Sequence, residues 1–91
     1  MIAFTQHHLG KLEDLFLALD YRIRYEKGSF RTAACMLQNT RVIVVNKFSN
    51  LEIRIQSLIQ LLRDMDVDIS VLDEKKKEFY YKVIKKEGTE I

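Results

Sequence analysis

Four β-branched residues in succession, Val42-Ile43-Val44-Val45, decide what kind of sheet this chain can form. The run has high β-propensity and lacks the apolar–polar alternation of a strand with one solvated face. It therefore predicts a strand over 41–47 that is covered on both faces. Helices are expected on only one face of a small sheet, so the cover of the other face must come from the last helix or from a second copy of the chain.

Two further strands are predicted before this one. Apolar and charged residues alternate over 21–26, which is typical of a half-buried strand. Gly28 supplies a turn, and a second strand is expected over 30–37. A short turn follows at 38–40, because asparagine tolerates the left-handed backbone region. Short turns between successive strands predict an antiparallel three-stranded β-meander.

Three segments show the spacing of three and four between apolar residues that forms one face of a helix. The first covers residues 5–20 and has Thr5 as its N-cap. The second runs to about residue 65 and opens with a capping box of Ser49 and Glu52. Ser70 is expected to cap the third.

The predicted architecture is one α+β domain over residues 1–91, in the order α-β-β-β-α-α, with the helices on one face of the sheet. Gly88 is a plausible stop for the last helix, and residues 88–91 are expected to be a frayed tail.

Composition places the chain among compact globular domains. Of its 91 residues, 47% are hydrophobic and 31% charged, and the net charge is only +2, from 15 Lys and Arg against 13 Asp and Glu. A dedicated nucleic-acid binder usually has a larger basic excess. The single cysteine favours an intracellular, cytoplasmic location, because small secreted domains usually need disulfides. No apolar run approaches the roughly 20 residues of a membrane span, so no membrane association is expected.

No motif in the chain names a reaction, and we expect neither an enzyme nor a cofactor. The adjacent His7 and His8 point about 100° apart on a helix and cannot readily chelate one metal ion. Cys35 is flanked by Ala34 and Met36, a setting typical of a packed structural cysteine. The glycines are isolated, so no phosphate-binding loop is present in the sequence.

An exposed contact surface is the remaining candidate for function. Ile53 falls among the polar residues of the second helix, and the strand at 41–47 is apolar on both sides. Such features mark partner sites, and a symmetric dimer is the commonest assembly of a small domain. We therefore predict a homodimer or another protein partner, with an interface that includes Ile53, Ile43 and Val45.

Nucleic-acid binding is the alternative. Basic residues fall on or near the strands beside aromatic ones, a mixture that can hold phosphates and stack bases. Alternation, however, points Tyr21 and Tyr25 away from Arg22 and Arg24. The lysine run at 75–77 is expected to be a solvated helix face. The residues predicted to contact nucleic acid are Arg22, Arg24, Lys27, Arg31 and Arg41.

Several segments carry a resemblance to known families. The segment 25–30, Cys35, the segment 42–47 and the run Glu52-x-Arg54-Ile55 together resemble a small family of uncharacterised bacterial proteins of the Bacteroidetes type. This resemblance covers most of the chain and implies no function.

Residues 21–65 are more distantly similar to the core of minimal phage-type zinc metallo-endopeptidases. Cys35, Asn46, Glu52 and Arg54 match the approach to the catalytic helix of that family. The segment 58–64 stands where the family has His-Glu-x-x-His, and it contains no histidine. The resemblance therefore implies a shared scaffold without the zinc ligands and the catalytic base.

Overall fold

The computed structural model describes residues 5–84, which form an α+β fold with three α-helices and a three-stranded mixed sheet. A 3-10 turn at Ile69–Val71 lies between the last two helices, so the element order differs from the predicted one. The predicted stop at Gly88 and the tail at 88–91 lie outside the described residues. The elements are α1 (Gln6–Ala18), β1 (Tyr21–Glu26), β2 (Ala33–Leu37), β3 (Thr40–Asn46), α2 (Leu51–Asp64) and α3 (Glu74–Ile84).

The predicted antiparallel meander is wrong. β3 is the central strand, parallel to β1 and antiparallel to β2, so that the strand order is β1-β3-β2. The two connections explain the difference. Gln38 and Asn39, with φ values of 49° and 66°, join β2 to β3 in a tight two-residue turn. The segment 27–32 instead carries the chain from β1 past the position of β3 to the far edge.

The central position suits the composition of β3. A strand paired along both edges and rich in β-branched residues gains packing on both sides. Its parallel pairing with β1 runs in register from Tyr21 opposite Arg41 to Glu26 opposite Asn46. Just past the end of β3, the Lys47 amide donates to the carbonyl of Glu26, the last residue of β1, at 2.8 Å. The parallel strands β1 and β3 are thus connected through β2, where larger parallel sheets usually have a crossover helix.

The helix caps agree with the prediction in one case out of three. Thr5 caps α1, and its hydroxyl accepts a hydrogen bond from the His8 amide at 3.2 Å. At α2 the predicted capping box with Ser49 is wrong. Asn50 is the N-cap, and its side-chain oxygen accepts from the Ile53 amide at 2.8 Å. Asparagine and serine are about equally good caps, so residue preference alone does not decide between these two neighbours.

Ser70 does not cap α3. It lies in the 3-10 turn, where its amide and hydroxyl donate to Asp68 at 3.0 and 2.6 Å. α3 begins later, where the carboxylate of Asp73 accepts from the Lys76 amide at 2.8 Å. These hydrogen bonds lower the pKa of Asp68 and of Asp73, because each stabilises the ionised carboxylate.

The core lies between the helices and one face of the sheet. The apolar helix faces that the spacing predicts are buried there, and Ile43 and Val45 meet them from β3. No helix within residues 5–84 is long and apolar enough to cross a membrane. The buried helical residues are Leu9, Leu12, Leu15, Phe16, Ile55, Leu58, Ile59, Leu62, Phe79 and Val83.

Candidate interaction surface

β2 is exposed along its whole length. Met36 is 62% exposed and Leu37 46%, and no residue of β2 belongs to the core cluster. Cys35 is exposed as well, so the predicted packed cysteine is wrong. Alternation along a strand says which residues share a side, but a side is buried only where another layer lies against it. The helices pack beneath β1 and β3 and leave β2 uncovered.

The outer edge of β2 has no strand beside it among residues 5–84. Proteins usually protect such edges with charged side chains, proline or a bulge, since the unpaired N–H and C=O groups invite pairing with another chain. The segment 32–38 contains no charged residue and no proline. Its register with β3 is regular over all of β2, without a bulge. Among residues 5–84, none of these three kinds of protection is present at this edge.

The helices of the described residues pack on one face of the sheet, and on the opposite face the neighbours of β3 are side chains of β1 and β2. Val42 is only 4% exposed, yet it does not belong to the core cluster. Its register partners on the same face are Arg22 and Cys35, and the aliphatic stem of an arginine can cover apolar surface. Val44 is half-buried beside it. The last helix was one of two predicted covers for this face, but α3 packs on α2 instead.

A groove of about 500 Å³ lies beside the start of β2. One wall is the connection that leads into β2, and the other is the outer side of α2. Ile53, 48% exposed, lies in this groove, so the residue that breaks the polar pattern of α2 faces a concave surface next to the free edge. The apolar residues of the lining are Phe30, Ile53 and Leu61.

The three residues predicted for a protein interface are divided between core and surface. Ile43 and Val45 have no exposed area and pack in the core, so they take no part in a contact surface of the folded chain. Ile53 alone is accessible to a partner. The reason is that the two sides of β3 are unequal: the side that carries Ile43 and Val45 faces the helices.

The five basic residues predicted for nucleic-acid contact are all exposed, but they do not share one face. Arg22 and Arg24 lie on the open sheet face, where Arg24 forms an ion pair with Glu26 at 2.8 Å. Arg41 is on the opposite face, with its guanidinium 5.8 Å from the centre of the Tyr21 ring. The connection between β1 and β2 carries the remaining two, Lys27 and Arg31.

His8 and Cys35 lie on separate elements. His8 is on α1, where its ring lies 6.4 Å from that of Phe79 on α3. Burial, His7 and nearby lysines lower the pKa of His8. Cys35 lies on the exposed β2. Within the described part of the chain, no group of three or more His, Cys, Asp or Glu residues is placed to hold a metal ion.

A polar cluster that sequence reasoning missed joins α1, β1 and α2. The Tyr25 hydroxyl donates to the carboxylate of Glu13, and the Arg54 guanidinium lies 5.3 Å from the centre of the Tyr25 ring. Arg54 also donates to the Lys47 carbonyl at 2.8 Å. These contacts join residues far apart in the chain, so no local spacing could reveal them.

Burial and the hydrogen bond to Glu13 raise the pKa of Tyr25 above its ordinary value of about 10. The folded chain holds this proton more tightly than the unfolded chain, so the stabilisation is complete below about pH 10 and is lost as the pH rises further. We expect urea unfolding between pH 8 and 11 to show a steeper alkaline loss of stability for the wild type than for Tyr25→Phe. The exposed Tyr81 offers the control Tyr81→Phe, which should follow the wild type; the same pH profile for Tyr25→Phe would contradict this assignment.

Comparison of the chain with protein-family models, with curated proteins and with solved structures found no match. The resemblances based on residues 21–65 and on the wider chain therefore stay predictions. The candidate surface depends on the geometry of β2 and its surroundings.

The sequence carries one signal for this surface, which is a stretch without charge. Charged residues make up 31% of the chain, yet the segment 32–38 has none. An uncharged strand next to a tight asparagine-containing turn can be a buried central strand or an unprotected edge strand. The pairing partners distinguish the two cases, and single-sequence periodicity does not report them.

Proposed function

We propose that this chain is a non-catalytic protein-interaction module that associates with a second copy of itself through β2. The observation that carries the proposal is the exposure of β2 on both faces and along its free edge, in a segment without charge. Free main-chain groups combined with apolar side chains form the surface by which sheets extend from one chain to another. A cytoplasmic location, predicted from the single cysteine, belongs to the same proposal.

Self-association suits this surface better than a charged partner does. The absence of charge on β2 gives a foreign chain no electrostatic feature to select, whereas two identical uncharged strands meet without repulsion. The small net charge of +2 also opposes dimerisation only weakly. The neighbouring groove with Ile53 adds apolar surface that a second copy can cover.

Substitution of Met36 and Leu37 together by lysine is expected to convert a dimer into a monomer. Lysine is the residue that natural edge strands use against pairing, and both side chains already reach solvent, so the fold should tolerate the change. Sedimentation at 1–100 µM protein measures the effect. The control is Phe48→Lys, at a residue that is 71% exposed outside the strands, and it should leave the dimer intact. A wild-type monomer over this whole range would overturn the proposal.

Nucleic-acid binding is the second candidate, and the side-by-side placement of Arg22 and Arg24 on an open sheet face favours it. Labelled single-stranded RNA should then bind with an affinity that falls steeply with salt. Arg22→Ala should weaken the binding, whereas Lys75→Ala on α3 should not. The absence of binding at 20 mM salt would remove this candidate.

A further inference from the structure

We infer that two copies pair β2 with β2 antiparallel about a two-fold axis through Cys35, which makes one continuous six-stranded sheet. This inference rests on the proposed self-association and adds the partner's register. The strand order of the assembly is β1-β3-β2 in one copy followed by β2-β3-β1 in the other. It follows from which backbone groups of β2 are free and from the requirement that two identical strands satisfy each other.

The turn at Gln38-Asn39 fixes which groups of β2 are free. Both residues have positive φ, and in such a two-residue turn the carbonyl of Leu37 accepts a hydrogen bond from the Thr40 amide. Hydrogen-bonded and non-hydrogen-bonded pairs alternate along an antiparallel ladder. The main-chain groups of Cys35 and Ala33 therefore point to β3. Those of the alternate residues, Ala34 and Met36, point to the outer edge.

Only a few registers bring outward-pointing groups together. To form hydrogen bonds, the second β2 must place its own Ala34 or Met36 opposite Ala34 or Met36 of the first. The two-fold axis that relates the two strands must therefore pass through residue 34, 35 or 36. An axis at residue 35 sets Ala34 opposite Met36 of the second copy and pairs all of β2. An axis at either neighbour pairs only part of the strand and brings residues of the flanking turns into the ladder. The register centred on Cys35 therefore forms the most main-chain hydrogen bonds.

The same register suits the side chains. With a two-fold axis perpendicular to the sheet, the helices of both copies lie on the same side of the six-stranded sheet. The groove that contains Ile53, beside the start of β2, then lies next to the second copy. No charged side chain of the segment 32–38 meets its own copy, because the segment has none. Arg31, just before it, falls opposite Asn39 of the second copy.

Disulfide formation between the two Cys35 residues tests this arrangement directly. In the proposed register Cys35 faces Cys35 of the second copy as a non-hydrogen-bonded pair, for which the Cα separation is about 4.5 Å. Disulfides form at Cα separations of about 4.4–6.8 Å. Diamide can then oxidise the two thiols to a disulfide and take up their two electrons and two protons. Residues 34 and 36 face themselves only in the two competing registers.

The experiment compares diamide cross-linking of three single-cysteine proteins on non-reducing gels at a concentration where sedimentation shows the dimer. They are the wild type, Ala34→Cys with Cys35→Ser, and Met36→Cys with Cys35→Ser. We expect the wild type to cross-link at least ten-fold faster than the other two. Tyr81→Cys with Cys35→Ser, on the exposed face of α3, gives the rate of random collision.

The outcomes separate the register from the self-association. A dimer that cross-links fastest at residue 34 or 36 overturns the Cys35 register and leaves the proposed function standing. A dimer that cross-links at the collision rate at all three positions shows that a surface other than β2 pairs, which overturns this inference and the proposed role of β2 while self-association itself stands. A monomer in sedimentation overturns the proposed function and the inference with it.

Discussion

Replacing Ile43 with alanine should lower the free energy of unfolding by about 2–5 kcal/mol, the usual cost of truncating a fully buried Ile. Ile43 has no exposed area and lies at the middle of the central strand, opposite Ile23 of β1 and Ala34 of β2. Truncation leaves a cavity where the sheet meets the helices, and the rigid strand ladders on both sides limit how far it can close. Urea unfolding followed by circular dichroism measures the loss.

Ile53→Ala is the comparison for Ile43→Ala, because the sequence placed both isoleucines in one interface. The pair of variants distinguishes a core residue from a surface residue. Ile53 is 48% exposed, so its truncation should cost under about 1 kcal/mol in the isolated chain. If Ile53 faces the second copy, its truncation should instead weaken dimerisation. Equal losses of stability for Ile43→Ala and Ile53→Ala would contradict the core assignment of Ile43.

Local signals in the sequence were enough to predict much of the fold. The bounds of β1 and the N-cap Thr5 are confirmed, and so is the buried face of α1. Each depends on residues within a few positions of one another, where helix and strand periodicities apply directly. Sheet topology depends on something else. The segment 27–32 does not reveal whether the two strands that it joins, β1 and β2, pair with each other. Their pairing depends on contacts with β3, which comes later in the chain.

The candidate surface was predictable only in part, for the same reason. Ile53 breaks the polar side of its helix, and that local irregularity identified an exposed residue correctly. The apolar run of β3 was expected to need a cover on its second face from the last helix or a second copy, yet Val42 on that face is already only 4% exposed. The uncovered surface is instead β2, because the crossing connection places that strand at the edge. A surface defined by sheet order cannot be found before the order is known.

Asn46 shows how one side chain enforces that order. Its amide nitrogen donates to the carbonyls of Gly28 and Phe30 at 2.9 and 2.8 Å, and its oxygen accepts from the Phe48 amide at 2.9 Å. The connection between β1 and β2 is thereby fixed to the end of β3. Gly28 has φ +156°, and a Cβ there would lie 2.8 Å from the Phe30 ring, so this part of the connection is built around a glycine.

Asn46→Ala should therefore cost about 2–3 kcal/mol of unfolding free energy, since three hydrogen bonds of about 1 kcal/mol each are lost and two carbonyls are left partly buried. Asn46→Asp should cost at least as much at neutral pH, because a carboxylate would face those carbonyls without a donor. The Lys47 amide, which donates to Glu26 where the parallel pair ends, should exchange its hydrogen faster in both variants. Gln60→Ala is the matched control: its amide makes one exposed hydrogen bond to Asp64, worth under about 0.5 kcal/mol. Equal costs at residues 46 and 60 would mean that the connection does not need Asn46, and that the pairing of β1 with β3 alone sets the strand order.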